Sequence, residues 1–138
     1  MWRTPKTDWD IDYRWDADDI NRIQDNIIWL RDYIRDYGSK LYVTPTIIPF
    51  EANKTYASMF YAREMNAIES NLATINAATL QDDIGTTKTY YVNGPTPDFN
   101  EFNRIESATL HLRLGIQGNV EIMPVLAFTL GNIKGVKL

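Results

Sequence analysis

The chain has 138 residues, 44% of them hydrophobic and 23% charged, a composition that fits one compact domain with room for a core and no need of disulfide staples. It contains no Cys and a single His, His111, which excludes a disulfide scaffold, a zinc ribbon, thiolate chemistry and any site built on two imidazoles. Lys and Arg number 14 against 18 Asp and Glu, a net charge of −4, and no segment forms a basic tail, so neither a nucleic-acid surface nor a polybasic membrane anchor is expected.

The N-terminal run Met1 to Asp8 lacks the apolar stretch of a signal peptide. The longest greasy stretch, Val120 to Leu130, is interrupted by Glu121 and Pro124 and is too short to span a bilayer. Asp8, Asp10, Asp12, Asp16 and Asp19 fall at positions 1, 3, 5, 9 and 12 of a calcium-loop register, but Tyr13 stands where the loop needs Gly, and Asp19 where it needs the longer Glu. The same acids also fit a solvated lead-in followed by a helix cap. Three of the four tryptophans, Trp2, Trp9 and Trp15, precede the first helix. Trp15 is expected under the helix start, while Trp2 and Trp9 are candidates for contacts with another chain, with core packing as the alternative reading.

The first helix is signalled by Ile20, Ile23, Ile27, Leu30, Ile34 and Tyr37, whose steps of three and four place them on one face. Asp16 is its expected cap, Asp18 and Asp19 complement its positive end, and Gly38 stops it behind Arg35. The second helix carries Tyr61, Met65, Ile68, Leu72 and Ile75, with Asn53, Thr55 and Ser58 all plausible caps. The third carries Phe102, Ile105, Leu112 and Ile116, with Thr109 a weak point in the seam. Thr96-Pro97-Asp98 puts a capping hydroxyl ahead of a proline in its first turn, and Gly115 is its expected stop.

The runs Lys40 to Ile48 and Thr86 to Val92, rich in Tyr, Val, Thr and Ile, read as short strands. Val125 to Leu130, Gly131-Asn132 and Ile133 to Leu138 read as a C-terminal hairpin. An uncovered apolar edge there would invite aggregation, so pairing with another chain or with the Lys40 to Ile48 run is expected.

Three segments superimpose: Ile20-Asn21-Arg22-Ile23-Gln24-Asp25-Asn26, Met65-Asn66-Ala67-Ile68-Glu69-Ser70-Asn71 and Phe102-Asn103-Arg104-Ile105-Glu106-Ser107-Ala108. Each has a large apolar residue, Asn, a variable residue, Ile, then Gln or Glu, with Asn or Ala two positions on. The copies lie 45 and then 37 residues apart, too uneven for a solenoid and suited to three related helices in one bundle. Asn is a poor helix former, costing roughly half a kcal/mol relative to Ala. Asn21, Asn66 and Asn103 beside the seam therefore suggest carboxamides that bond the backbone of a neighbouring loop or helix end.

The first copy with its lead-in, Lys6-Thr7-Asp8-Trp9, Asp16 to Asn26 and Trp29-Leu30, resembles small tail or baseplate structural proteins of phages infecting Gram-positive-type hosts. In that group a Thr-Asp-Trp lead and an Asp-Leu-Asn-Arg-Ile-Glu-x-Asn helix recur. Ile20 stands here for the Leu and Gln24 for the Glu, Ala108 replaces the closing Asn of the third copy, and Ala67 replaces the Arg of the second. The resemblance covers about half the chain and implies a virion component of a phage tail or tail-like particle, made in the host cytoplasm, with other tail, baseplate or fibre proteins as partners.

Chemistry is sparsely signalled. Glu101 with Glu106, and Asp82 with Asp83, lack companions that would separate their pKa values, and they read as solvated faces. Ser107 and His111 are four apart without an acid to orient the imidazole, and no glycine-rich phosphate loop is present.

These readings give a mainly α fold, a three-helix bundle of related helices over 1–118 with an N-terminal aromatic arm, and a β extension over 119–138 used in assembly. The motif residues are Asn21, Ile23, Gln24, Asn26, Asn66, Ile68, Glu69, Asn71, Asn103, Ile105 and Glu106, and the interface candidates are Trp2, Trp9, Val125, Phe128 and Leu130. The function read is a structural, non-enzymatic, homo-oligomeric virion protein that links tail to fibre, with no catalytic residue, metal or cofactor. Alternatives are an assembly chaperone or adaptor that leaves before maturation, and a carbohydrate-binding module using the tryptophans. A helix-turn-helix DNA binder fits worst, given the acidic first helix.

Overall fold

The computed structural model describes residues 1–12, 14–50, 61–91 and 94–131; of Tyr61 and of residues 124–131 it describes the backbone alone. Among the described residues there are three helices, α1 (Ala17–Tyr37), α2 (Tyr61–Ala78) and α3 (Phe99–Gly131), each packed on the other two.

The apolar seams meet in one core. Ile20, Ile23, Ile27, Leu30 and Ile34 of α1 pack with Met65, Ile68, Leu72 and Ile75 of α2 and with Phe102, Ile105, Leu112 and Ile116 of α3. Burial of each such side chain is worth roughly 1.5–3 kcal/mol against leaving it in water, so this seam supplies most of the drive to fold. Thr109 is fully buried in it and is no weak point, because its hydroxyl donates to the Glu106 carbonyl at 2.8 Å.

The ends of α1 follow from its flanking residues. Asp16 accepts from the Asp19 amide at 3.1 Å and Asp19 accepts from the Asp16 amide at 2.8 Å, a reciprocal capping box. Gly38 closes the helix with its N–H on the Ile34 carbonyl at 2.9 Å. For α3 the cap is Asp98 rather than Thr96: Asp98 accepts from the Glu101 amide at 3.0 Å and Glu101 accepts from the Asp98 amide at 2.9 Å. A carboxylate followed three residues later by Glu completes both halves of the box, which the Thr96 hydroxyl, placed before a proline, does not. The caps considered for α2 lie outside the described residues.

Gly115 does not stop α3. The helix passes Gly115, Gly118 and Pro124 and runs 33 residues, about 50 Å, to Gly131. At Gly115 the turn after α2 comes close, and a Cβ there would clash with the Leu80 side chain. Val125 to Leu130, expected as a strand, is therefore the end of a helix, and α3 crosses 118–119 without a break. The partner strand of that hairpin, Ile133 to Leu138, lies outside the described residues.

No strand occurs among the described residues. Of the runs Lys40 to Ile48 and Thr86 to Tyr91, residues 40–42 form a turn, with the Leu41 and Tyr42 amides on the Gly38 carbonyl at 3.0 and 2.9 Å, and the rest has no β partner among the described residues. Their composition suits a strand, but at Ile48, Lys88 and Tyr90 backbone polar groups are satisfied by side chains of the helices, as described below. No helix among the described residues is long and apolar enough to cross a membrane.

Candidate functional site

On a helix advancing about 100° per residue, the motif Ile faces the core, the closing Asn lies about 60° to one side of it and the acid about 100° to the other. The first Asn, three residues before the acid, shares the acid's side. Each copy can thus address two grooves at once. Ile23, Ile68 and Ile105 are fully buried at the bundle centre.

The carboxamides grip passing backbone. Asn103 accepts from the Trp9 N–H at 2.8 Å and donates to the Trp9 carbonyl at 2.9 Å. Asn66 does the same to Tyr90, at 2.8 and 2.9 Å. The closing residues repeat the grip on the other side: Asn26 holds Arg3 with two bonds of 2.8 Å, and Asn71 holds Ile48 at 2.7 and 2.9 Å. Each pair satisfies a donor and an acceptor of one extended residue, as a neighbouring β-strand would. Asn21 is half-buried and is also engaged. A fifth such clamp, Asn76 on both backbone groups of Asp82, lies outside the motif and gave no signal in the sequence.

The acids complete the grip. Glu106, fully buried, accepts from the Lys6 amide at 3.0 Å and from the Trp9 indole at 2.5 Å, and takes Arg22 Nε and Nη2 at 2.6 and 2.9 Å. Glu69 accepts from the Lys88 amide at 2.5 Å and from Arg104 Nη2, which lies 2.7 Å from each of its oxygens. Glu106 is thus no solvated face; it is the most connected carboxylate among those described. Burial alone would lower the Arg22 pKa, but its bonds to Glu106 and Asp19 outweigh that and hold the guanidinium more firmly charged. Burial pushes the Asp19 carboxyl up, against the opposing pull of its cap and of Arg22.

The ion pairs run in one direction around the bundle. The motif Arg of α1 reaches the acid of α3, and the motif Arg of α3 reaches the acid of α2. The third junction, from α2 to α1, would join position 67 to position 24. There the sequence has Ala67 and Gln24, so these two of the four departures from the motif are the two ends of one missing ion pair. Both charges are absent together, which avoids a buried unpaired one. Gln24 instead donates to Glu64 at 2.6 Å, one turn before Ala67.

The tryptophans take two kinds of place. Trp9 is buried, with its ring 5.1 Å from Phe102, so it is core rather than a surface anchor. Trp15 is half-buried at 5.4 Å from the same Phe102. Trp2 packs edge-on to Trp29 at 5.3 Å, and the Arg113 guanidinium lies 4.6 and 4.7 Å from the two rings, so the aromatic arm is fastened to α1 and α3. Trp29, Tyr33 and Tyr37 continue as a ladder along α1, with rings 5.0 and 5.1 Å apart. Val125, Phe128 and Leu130 lie on the last turns of α3.

Asp16 and Asp19 of the calcium register are occupied as a helix cap and Asp8 pairs with Lys6 at 2.9 Å. Among the described residues no group of three or more His, Asp or Glu is placed to hold a metal. His111, expected to lack an acid, has one: its Nε2 lies 2.8 Å from Asp82, with both side chains about half exposed. No hydrogen bond joins Ser107 to this pair among the described residues.

No protein-family model, curated protein or solved structure matches the chain.

Proposed function

We propose that this chain is a structural component of a phage tail, baseplate or related tail-like particle, acting through oligomeric assembly with tail and fibre proteins. The observation that carries the reading is the threefold Asn-x-Ile-Gln/Glu motif. The motif is the residue pattern through which the chain resembles tail and baseplate proteins, and its side chains bond backbone and one another instead of converging on a cavity. A motif devoted to fixing extended segments on helices suits a protein whose task is to hold shape. The long α3 and the residues following it, with Val125, Phe128 and Leu130, are the element offered to neighbouring chains. The apolar sequence from Ile122 to Leu130, free of charged residues, suits a covered position.

The test is quantitative mass spectrometry of phage-like particles purified from cells that produce the chain. A fixed ratio to the major tail protein supports the reading. Abundance in the lysate with absence from finished particles would replace it with an assembly chaperone that leaves before maturation.

A further inference from the structure

A cleft of about 530 Å³ opens where the lead-in to α1 meets the turn before α3. Its floor is the buried pair Trp9 and Phe102, and its walls include the half-buried rings of Trp15 and Phe99. Asp10, Arg14 and Asp98, all exposed, line the same cleft. The polar groups retain bonding capacity. Asp98 uses one carboxylate oxygen on its helix cap and Asp10 uses one on the Asp12 amide, while the second oxygen of each and the Arg14 guanidinium have no hydrogen-bond partner among the described residues. The exposed side chains of Asp10 and Arg14 belong neither to the core nor to the motif network.

We propose that this cleft binds a neutral saccharide, with the sugar's C–H face against the aromatic wall and its hydroxyls bonded by Asp10, Arg14 and Asp98. The volume suits one or two sugar rings and lies within the range of small-molecule sites, which combine apolar walls with a few convergent polar groups. The charges select the ligand class. Two carboxylates disfavour a phosphate or an acidic peptide, and the Arg14 guanidinium on the same cleft disfavours a basic one. A polyol donates to carboxylates and accepts from guanidinium through the same hydroxyls, so it satisfies both signs without carrying a charge of its own. The site is independent of particle assembly and stands or falls separately from it.

The full chain is titrated at millimolar concentration with a panel of neutral hexose and N-acetylhexosamine oligosaccharides. Binding is read by saturation-transfer NMR, and its place by shifts of the tryptophan indole N–H signals. The expected result is that at least one member binds and moves the Trp9 or Trp15 indole signal. Asp10→Ala and Arg14→Ala, both at exposed positions, should each weaken it about tenfold without changing the melting temperature. Absence of binding by every member of the panel overturns the proposal. So does binding that neither substitution weakens, or a peptide of proline and basic residues that occupies the cleft more tightly than any sugar.

Discussion

Arg22 and Glu106 join α1 to α3 through bonds of 2.6 and 2.9 Å, with the carboxylate fully buried and the same two oxygens also holding the Lys6 amide and the Trp9 indole. One side chain therefore fastens two helices and the N-terminal segment. Glu106→Ala leaves a half-buried arginine, a buried indole N–H and an amide without their acceptor, and is expected to cost about 3 kcal/mol in urea unfolding. A loss below about 1 kcal/mol would mean that water replaces the carboxylate at no penalty.

The missing third ion pair can be restored. Gln24→Glu alone places a second carboxylate against Glu64, whose Oε2 is 2.6 Å from Gln24 Nε2, and should destabilise. Ala67→Arg alone crowds a buried position with an uncompensated charge. Together they supply the pair present at the other two junctions, so a double-mutant cycle should give a favourable coupling of about 1 kcal/mol or more. Additive losses would contradict the cyclic order of the three helices.

The Tyr90 hydroxyl is buried with no partner of hydrogen-bond geometry among the described residues. Burial, with Glu69 and Glu101 nearby, pushes its pKa well up, and Arg104 opposes this only in part. The unfolded chain ionises near pH 10 while the folded chain does not, so the unfolded state binds fewer protons and stability falls as the pH rises above about 10. Tyr90→Phe is expected to be about 1 kcal/mol more stable at neutral pH and to lose less stability between pH 9 and 11 by circular dichroism. A destabilised variant would show that the hydroxyl has a partner after all.

Gly118 lies inside α3 with open space where a Cβ would stand. Gly118→Ala should therefore stabilise by about 0.5–1 kcal/mol in thermal unfolding. Gly115→Ala should gain less, since Leu80 must move aside. Destabilisation by Gly118→Ala would place that glycine in a turn and end the helix before it.

Much of the fold was legible. The steps of three and four gave the three seams and their residues, and the Asn-x-Ile-Gln/Glu repeat pointed to carboxamides gripping backbone, because Asn is costly in a helix without such work. Periodicity marks a face without naming what passes over it, so it could not say that Asn103 holds Trp9, 94 residues earlier, or that Glu106 is buried. The β-like runs misled for a related reason: at Ile48 and Tyr90 the groups a strand would pair are taken by Asn71 and Asn66. Gly115 looked like punctuation, whereas it marks a close approach of Leu80 inside a continuing helix. The cleft beside Trp15 joins residues from two distant segments, which no local pattern brings together.

The motif asparagines stand in for a β partner at Trp9, Ile48 and Tyr90. Native-state hydrogen exchange by NMR tests it most directly, reading the amides of Trp9, Ile48 and Tyr90, which lie outside every helix yet donate to Asn103, Asn71 and Asn66. Protection within reach of that of the α1 core amides, lost at Trp9 alone in Asn103→Ala, is the predicted result. Exchange of these three amides at the rate of an unstructured chain would contradict it.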